Sequence, residues 1–215
     1  RSRRVRPLRR PPGAGHREMD RGAEAEGCYL KALAHYKQFA EAPPASDLAS
    51  LHGNLAYLYF DRGDFTSALQ MQKQALDITL HHLAHHAEAV FEAERRTGIF
   101  AYFADKPDTA LRHFKAAHQV LKEFAAIMTS PEARQFNILV SGHTDDTPIK
   151  HAHTKAKFQT NWELSAHRST SVIHELHRHG IEHERMGVAA YGEYQPLSTI
   201  DTARNRRIEL KLTSR

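Results

Sequence analysis

Residues 136–148 read Phe-Asn-Ile-Leu-Val-Ser-Gly-His-Thr-Asp-Asp-Thr-Pro. Phe136 to Ser141 is a short apolar run that ends at Gly142, the pattern of a buried strand. His143 to Pro148 is a polar loop of turn-forming residues, so the strand delivers a carboxylate to a loop. Downstream, Thr160-Asn161-Trp162-Glu163 predicts a helix start, with Thr160 as the cap and Glu163 three residues on. That helix turns Leu164, Val172, Ile173 and Leu176 inward and stops at Gly180. Arg168 falls one turn after Leu164, along the inner stripe, where an arginine calls for a carboxylate or a ligand.

Met186 to Tyr191 reads as a second strand. Ile208, Leu210 and Leu212 alternate with Glu209, Lys211 and Thr213, the period of a half-buried third. The order strand, helix, strand, strand predicts a small α/β two-layer sandwich with a mixed sheet.

Four segments, ILVSGHTDDTPI, NWELSAHRS, VAAYGEYQP and RNRRIELKL, follow one another over about 80 residues. In this order they resemble the OmpA-like peptidoglycan-binding domain, and the Asn-Trp-Glu-Leu-Ser wording resembles the branch of the flagellar stator protein MotB. The resemblance implies that Asp145 and Arg168 hold the diaminopimelate of the peptide stem and that Asn161 and Arg206 line the same pocket. The chemistry agrees. The distal end of diaminopimelate is a zwitterion, so its site needs an anion for the ammonium and a cation for the carboxylate, and the guanidinium fork suits the second role. Thr144 and Asn161 would add neutral hydrogen bonds. Nothing in these segments activates a nucleophile or water, so the expectation is binding without catalysis.

The resemblance also has gaps. The family domain begins with a strand and a helix ahead of the Gly-His-Thr-Asp strand, and the segments available for them are Ile99 to Phe103 and Phe114 to Met128. The link from Pro196 to Asn205 is shorter than the family's and threatens to displace Arg206. A stator also needs a membrane helix bearing a proton-carrying aspartate. Neither is in this sequence, so the motor function is not carried over.

Upstream, Ala23 to Ala126 is rich in Ala, Leu, Gln, Lys and Glu and reads as consecutive helices. Leu51, Leu55, Leu58 and Tyr59 lie at helical spacing, Gly63-Asp64 breaks the run, and Phe65, Ala68, Leu69, Met71, Ala75 and Leu76 begin another. Ala68, Gln72 and Ala75 align with Ala110, Phe114 and Ala117 at an offset of 42 residues. The segment from Leu51 to Ile78 resembles a tetratricopeptide repeat of the longer, kinesin-light-chain type, with two repeats and a half in all. Such hairpins imply a scaffold for an unidentified protein partner. An unrelated antiparallel bundle is the alternative.

The organisation expected is thus a basic tail at 1–20 without order, tetratricopeptide-like helical repeats at 21–128 and an OmpA-like domain at 129–215, or from as early as residue 96. The function expected is peptidoglycan binding in the periplasm or cell envelope. The rival is an interaction scaffold whose OmpA-like module is truncated and does not bind the wall.

The net charge of +5 adds little. Residues 1–17 hold seven arginines and no acid, which leaves 18–215 at −2, so nucleic acid is not an expected partner. No apolar run approaches the ~20 residues of a membrane-spanning helix. One cysteine, Cys28, excludes an internal disulfide and a thiolate zinc cluster. His81, His82, His85 and His86 form i,i+4 pairs that read as solvated, and His143, His151 and His153 have no spacing that fixes a ligand set. Neither cofactor nor metal is expected.

Overall fold

The computed structural model describes residues 14–36, 44–149, 152–197 and 205–214. The chain forms two compact units, which divide after Ala42. In the first, helix α1 spans Ala14–Tyr36. It begins inside the span expected to be a tail without order, because the prolines end at Pro12 and the following residues are mostly good helix formers. The arginines of 1–10 lie outside the described residues.

The second unit opens with two helical hairpins, α2 (Ala45–Asp61) with α3 (Phe65–His82) and α4 (Ala87–Phe103) with α5 (Pro107–Met128). Both α2 to α4 and α3 to α5 are displaced by 42 residues, the offset read from the sequence. The turns repeat as well. Gly63 has φ +82°, and Asp105, 42 residues later, has φ +55°, a left-handed conformation that Asp tolerates better than most residues. Asp64 caps α3 by accepting from the Ser67 N–H at 3.1 Å. Ala56, Phe60, Ala68, Leu69, Phe100, Ala101 and Ala110 close a common core, with Phe60 and Phe100 stacked at 4.8 Å. Small residues bring the helices close: a Cβ on Gly98 would lie 2.6 Å from the Phe114 ring.

A three-stranded sheet follows, in the order β2-β1-β3, from β1 (Phe136–His143), β2 (Met186–Gly192) and β3 (Ile208–Ser214). β1 runs parallel to β2 and antiparallel to β3, giving the mixed sheet expected. A short α6 (Ala152–Lys157) precedes α7 (Asn161–Arg178), which packs on β1 and β2. Thr160 caps α7 by accepting from the Glu163 N–H, and Glu163 accepts from the Gln159 N–H in return. Gly180, at φ +97°, ends the helical segment.

Ile99–Phe103, the segment available for a leading strand, is helical and forms the last turns of α4. Its Phe100 and Ala101 bury into the hairpin core, a demand of 3.6-residue periodicity that a strand would not meet. Helix α5 serves both halves. Its Ala110 lies in the hairpin core, while Leu121, Ala125 and Met128 join Ile138, Val140, Val172, Ile173, Leu176, Ile181 and Ile208 in the core under the sheet. No helix of the described residues is long and apolar enough to cross a membrane.

Candidate functional site

The loop after β1 is fixed by its backbone: the His143 N–H donates to the Arg207 carbonyl at 3.0 Å and the Thr144 N–H to the Gly192 carbonyl at 2.8 Å. Helix α7 lies very close to the sheet here. A Cβ on Gly142 would stand 2.3 Å from the Ser165 carbonyl oxygen, and Ser165 Oγ accepts from the Gly192 N–H at 3.1 Å. Small residues at Gly142, Ser165, Ser169 and Gly192 therefore set the distance between the loop's carboxylate and the first turns of α7.

Thr144, Asp145, Asn161, Arg168 and Arg206 all border one cavity of about 230 Å³. Asp145 is buried, and its Oδ2 accepts from Arg206 Nη1 and, at 2.9 Å, from Thr147 Oγ1. Arg206 thus reaches the pocket despite the short link before it. Asn161 Nδ2 donates to the Asp145 and Thr147 carbonyls at 3.2 and 3.4 Å, so it clamps the loop. Thr144 Oγ1 and Arg206 Nε and Nη2 are buried without a hydrogen-bond partner among the described residues. Such donors are costly to leave unused. Burial, with the Arg95 charge next in weight, depresses the Arg168 guanidinium to about 10.

The other wall comes from the repeats: Tyr57, Phe60 and Asp61 of α2 and Arg95, Ile99, Phe100 and Phe103 of α4. Arg206 lies over the Tyr57 ring, and Arg96 Nη2 donates to the Arg206 carbonyl. Burial alone would raise the Tyr57 phenol, but Arg96, Arg206, Arg95 and Arg168 together hold it below its ordinary value. Glu92, also buried, pairs with Arg95 at 2.7 Å and Arg96 at 3.5 Å. Sequence reading did not find this wall. Its one signal was the pair Arg95-Arg96 within an amphipathic helix, the same anomaly that marks Arg168.

The histidines divide. His81, His82, His85 and His86 are exposed. His143 is buried and stacked on Tyr191 at 5.0 Å, and burial, aided by Arg207, lowers its pKa. His151 and the side chain of His153 lie outside the described residues.

Residues 106–209 match the model of the OmpA family, and residues 13–81 match a model of the tetratricopeptide repeat. Motility protein B of Bacillus subtilis (strain 168) is 36% identical over 88 residues, 37% of this chain and 31% of that protein. Motility protein B of Helicobacter pylori (strain ATCC 700392 / 26695) is 32% identical over 73 residues, 34% of this chain and 27% of that one. The match thus spans less than a third of the length of these relatives. Among solved structures, a MotB-like protein from Desulfovibrio vulgaris shares 34% identity over 48% of this chain and 63% of its own, with a TM-score of 0.40. For the periplasmic domain of Helicobacter pylori MotB the values are 26%, 46%, 62% and 0.39. The chain carries an OmpA-like, MotB-like module preceded by tetratricopeptide-like repeats.

Proposed function

We propose that the OmpA-like module, within boundaries near 129–215, binds peptidoglycan without catalysis by holding the diaminopimelate of the peptide stem, and that the repeats recruit a protein partner at the cell envelope. The observation that carries this reading is the cavity where buried Asp145 stands among Arg168, Arg206, Thr144 and Asn161 with hydrogen-bond donors to spare. Asp145 receives the ligand ammonium on the oxygen that Arg206 and Thr147 leave open. Arg168 takes the carboxylate with its fork, and Arg206 and Thr144 supply further donors. Asn161 holds the loop that presents Asp145.

Sedimentation with insoluble peptidoglycan tests the reading. Diaminopimelate-type walls are expected to retain the protein. Lysine-type walls, whose side chain lacks the distal carboxylate, are expected to bind about 10-fold or more weakly, the worth of one charge-assisted hydrogen-bond pair. Binding that survives Asp145→Ala with Arg168→Ala refutes the pocket.

A further inference from the structure

One cluster of ligand-type side chains stands apart from this pocket. His118 of α5, Glu175 of α7 and His179, the residue that caps the end of α7, bring one ligand atom each to within 4.8 Å of one another. His118 Nδ1 lies 2.9 Å, and His179 Nε2 3.2 Å, from the same carboxylate oxygen, Glu175 Oε1. These separations suit hydrogen bonds, yet Glu175 Oε1 and His179 Nε2 are buried and neither has a hydrogen-bond partner among the described residues. The nitrogens stand around the oxygen without the angles that N–H···O bonds require.

A shared cation accounts for that geometry. Tetrahedral zinc with ligands at about 2.0–2.1 Å places neighbouring ligand atoms about 3.3 Å apart, which the two observed separations approach. The residue types agree: two imidazoles and one carboxylate are borderline ligands that suit Zn(II) better than the hard cations Mg(II) or Ca(II). Glu175 lies in the last turn of α7 and His179 caps that helix four residues on, close enough to bring its Nε2 to the Glu175 carboxylate, and α5 supplies the third ligand from across the helix pair. The second carboxylate oxygen of Glu175 accepts from Arg178 Nη1 at 2.9 Å, which leaves Oε1 turned toward the imidazoles. His118 and Glu175 also border a cavity of about 350 Å³, room for water at a fourth position.

We propose that His118, Glu175 and His179 form a three-ligand Zn(II) site that clips α5 to α7. The clip joins the helix shared by both cores to the helix that carries Arg168, on the face that Arg168 and Glu175 share toward the same cavity.

The test is a titration of the 215-residue chain with Zn(II) against a chromophoric chelator. One tight equivalent is expected. His118→Gln, Glu175→Gln and His179→Gln should each weaken it at least 10-fold, while His81→Gln with His85→Gln, on the exposed histidine cluster, leaves it intact. Zn(II) should raise the Tm of the parent and of that control, and not of the three variants. His118 is 52% exposed, so His118→Gln is expected to retain the parent's circular dichroism and to isolate the ligand from the fold. A tight equivalent that survives His118→Gln, or the absence of any tight equivalent in the parent, overturns the site. Peptidoglycan sedimentation reads separately, since none of the three residues borders the Asp145 cavity.

Discussion

Arg206 stacks on Tyr57, with 3.4 Å between the guanidinium carbon and the ring centroid. The first residue belongs to the sheet module and the second to helix α2 of the repeats, so one cation–π contact joins the two halves beside the candidate pocket. Tyr57 also meets Phe100 edge-on at 5.2 Å. Tyr57→Ala is expected to cost about 2–3 kcal/mol, below the usual toll for a fully buried aromatic because Tyr57 is only partly buried. Tyr57→Phe keeps both ring contacts and should stay within about 1 kcal/mol. Urea unfolding of the two variants checks the contrast.

Arg168 sets binding against stability. Its guanidinium is held down to about 10 by burial, so the charged form costs stability at every pH below that value, and the cost is relieved only as pH rises from about 10 toward 12.5. Arg168→Met is expected to raise unfolding stability at pH 7 by about 1–3 kcal/mol while it abolishes retention on peptidoglycan. Chemical denaturation and sedimentation of the same preparation read both effects.

Arg185 is 2% exposed and donates to the carbonyls of Met128 at 2.9 Å, Ala133 at 2.9 Å and Phe136 at 2.9 and 3.2 Å. It ties the end of α5 to the start of β1. Arg185→Met leaves three carbonyls without this donor and should cost about 3 kcal/mol or more. Arg185→Lys should recover little, because a point ammonium cannot serve a fork of acceptors. Thermal unfolding distinguishes the two.

Glu92 gives the chain an acid-sensitive element. Burial would raise its pKa, but Arg95 and Arg96 outweigh burial and hold it below the ordinary 4.5. A depressed carboxylate adds stability that is full above pH 4.5 and lost as pH falls through the folded value. Glu92→Gln should be less stable than the parent at pH 7, and the gap should narrow as pH drops below 4.5. Unfolding free energies measured from pH 7 to pH 3 test that convergence.

Asp105 occupies the left-handed turn position that Gly63 fills one repeat earlier. Asp105→Gly removes the Cβ penalty there, offset partly by the greater freedom of glycine in the unfolded chain. A gain of about 0.5–1 kcal/mol is expected, whereas Gly63→Ala should lose at least as much. Guanidinium unfolding of both variants measures the asymmetry.

The elements that periodicity controls were legible. The 42-residue displacement of α2 and α3 onto α4 and α5, the Thr160 cap, the stop at Gly180 and the alternation of Ile208, Leu210 and Leu212 all follow from local geometry. The sequence left two readings open where one segment satisfies two demands. Ile99–Phe103 fits an apolar strand as a string of letters, and only its packing against Phe60 makes it helix. Helix α5 could not be assigned to one half from sequence, because its two ends lie in different cores.

By itself, the sequence determined the helical repeats and the mixed sheet, since strand and helix periods are properties of neighbouring residues, and the resemblance of its ordered motifs to the OmpA-like domain put forward the candidates Thr144, Asp145, Asn161, Arg168 and Arg206. Tertiary structure alone decided that Arg206 pairs with Asp145, that Tyr57 and Arg95 wall the same cavity, and that His118 meets Glu175 and His179. Those partners come from separate elements, and no spacing along the chain encodes which helix faces meet once α4, α5 and α7 have buried their apolar stripes.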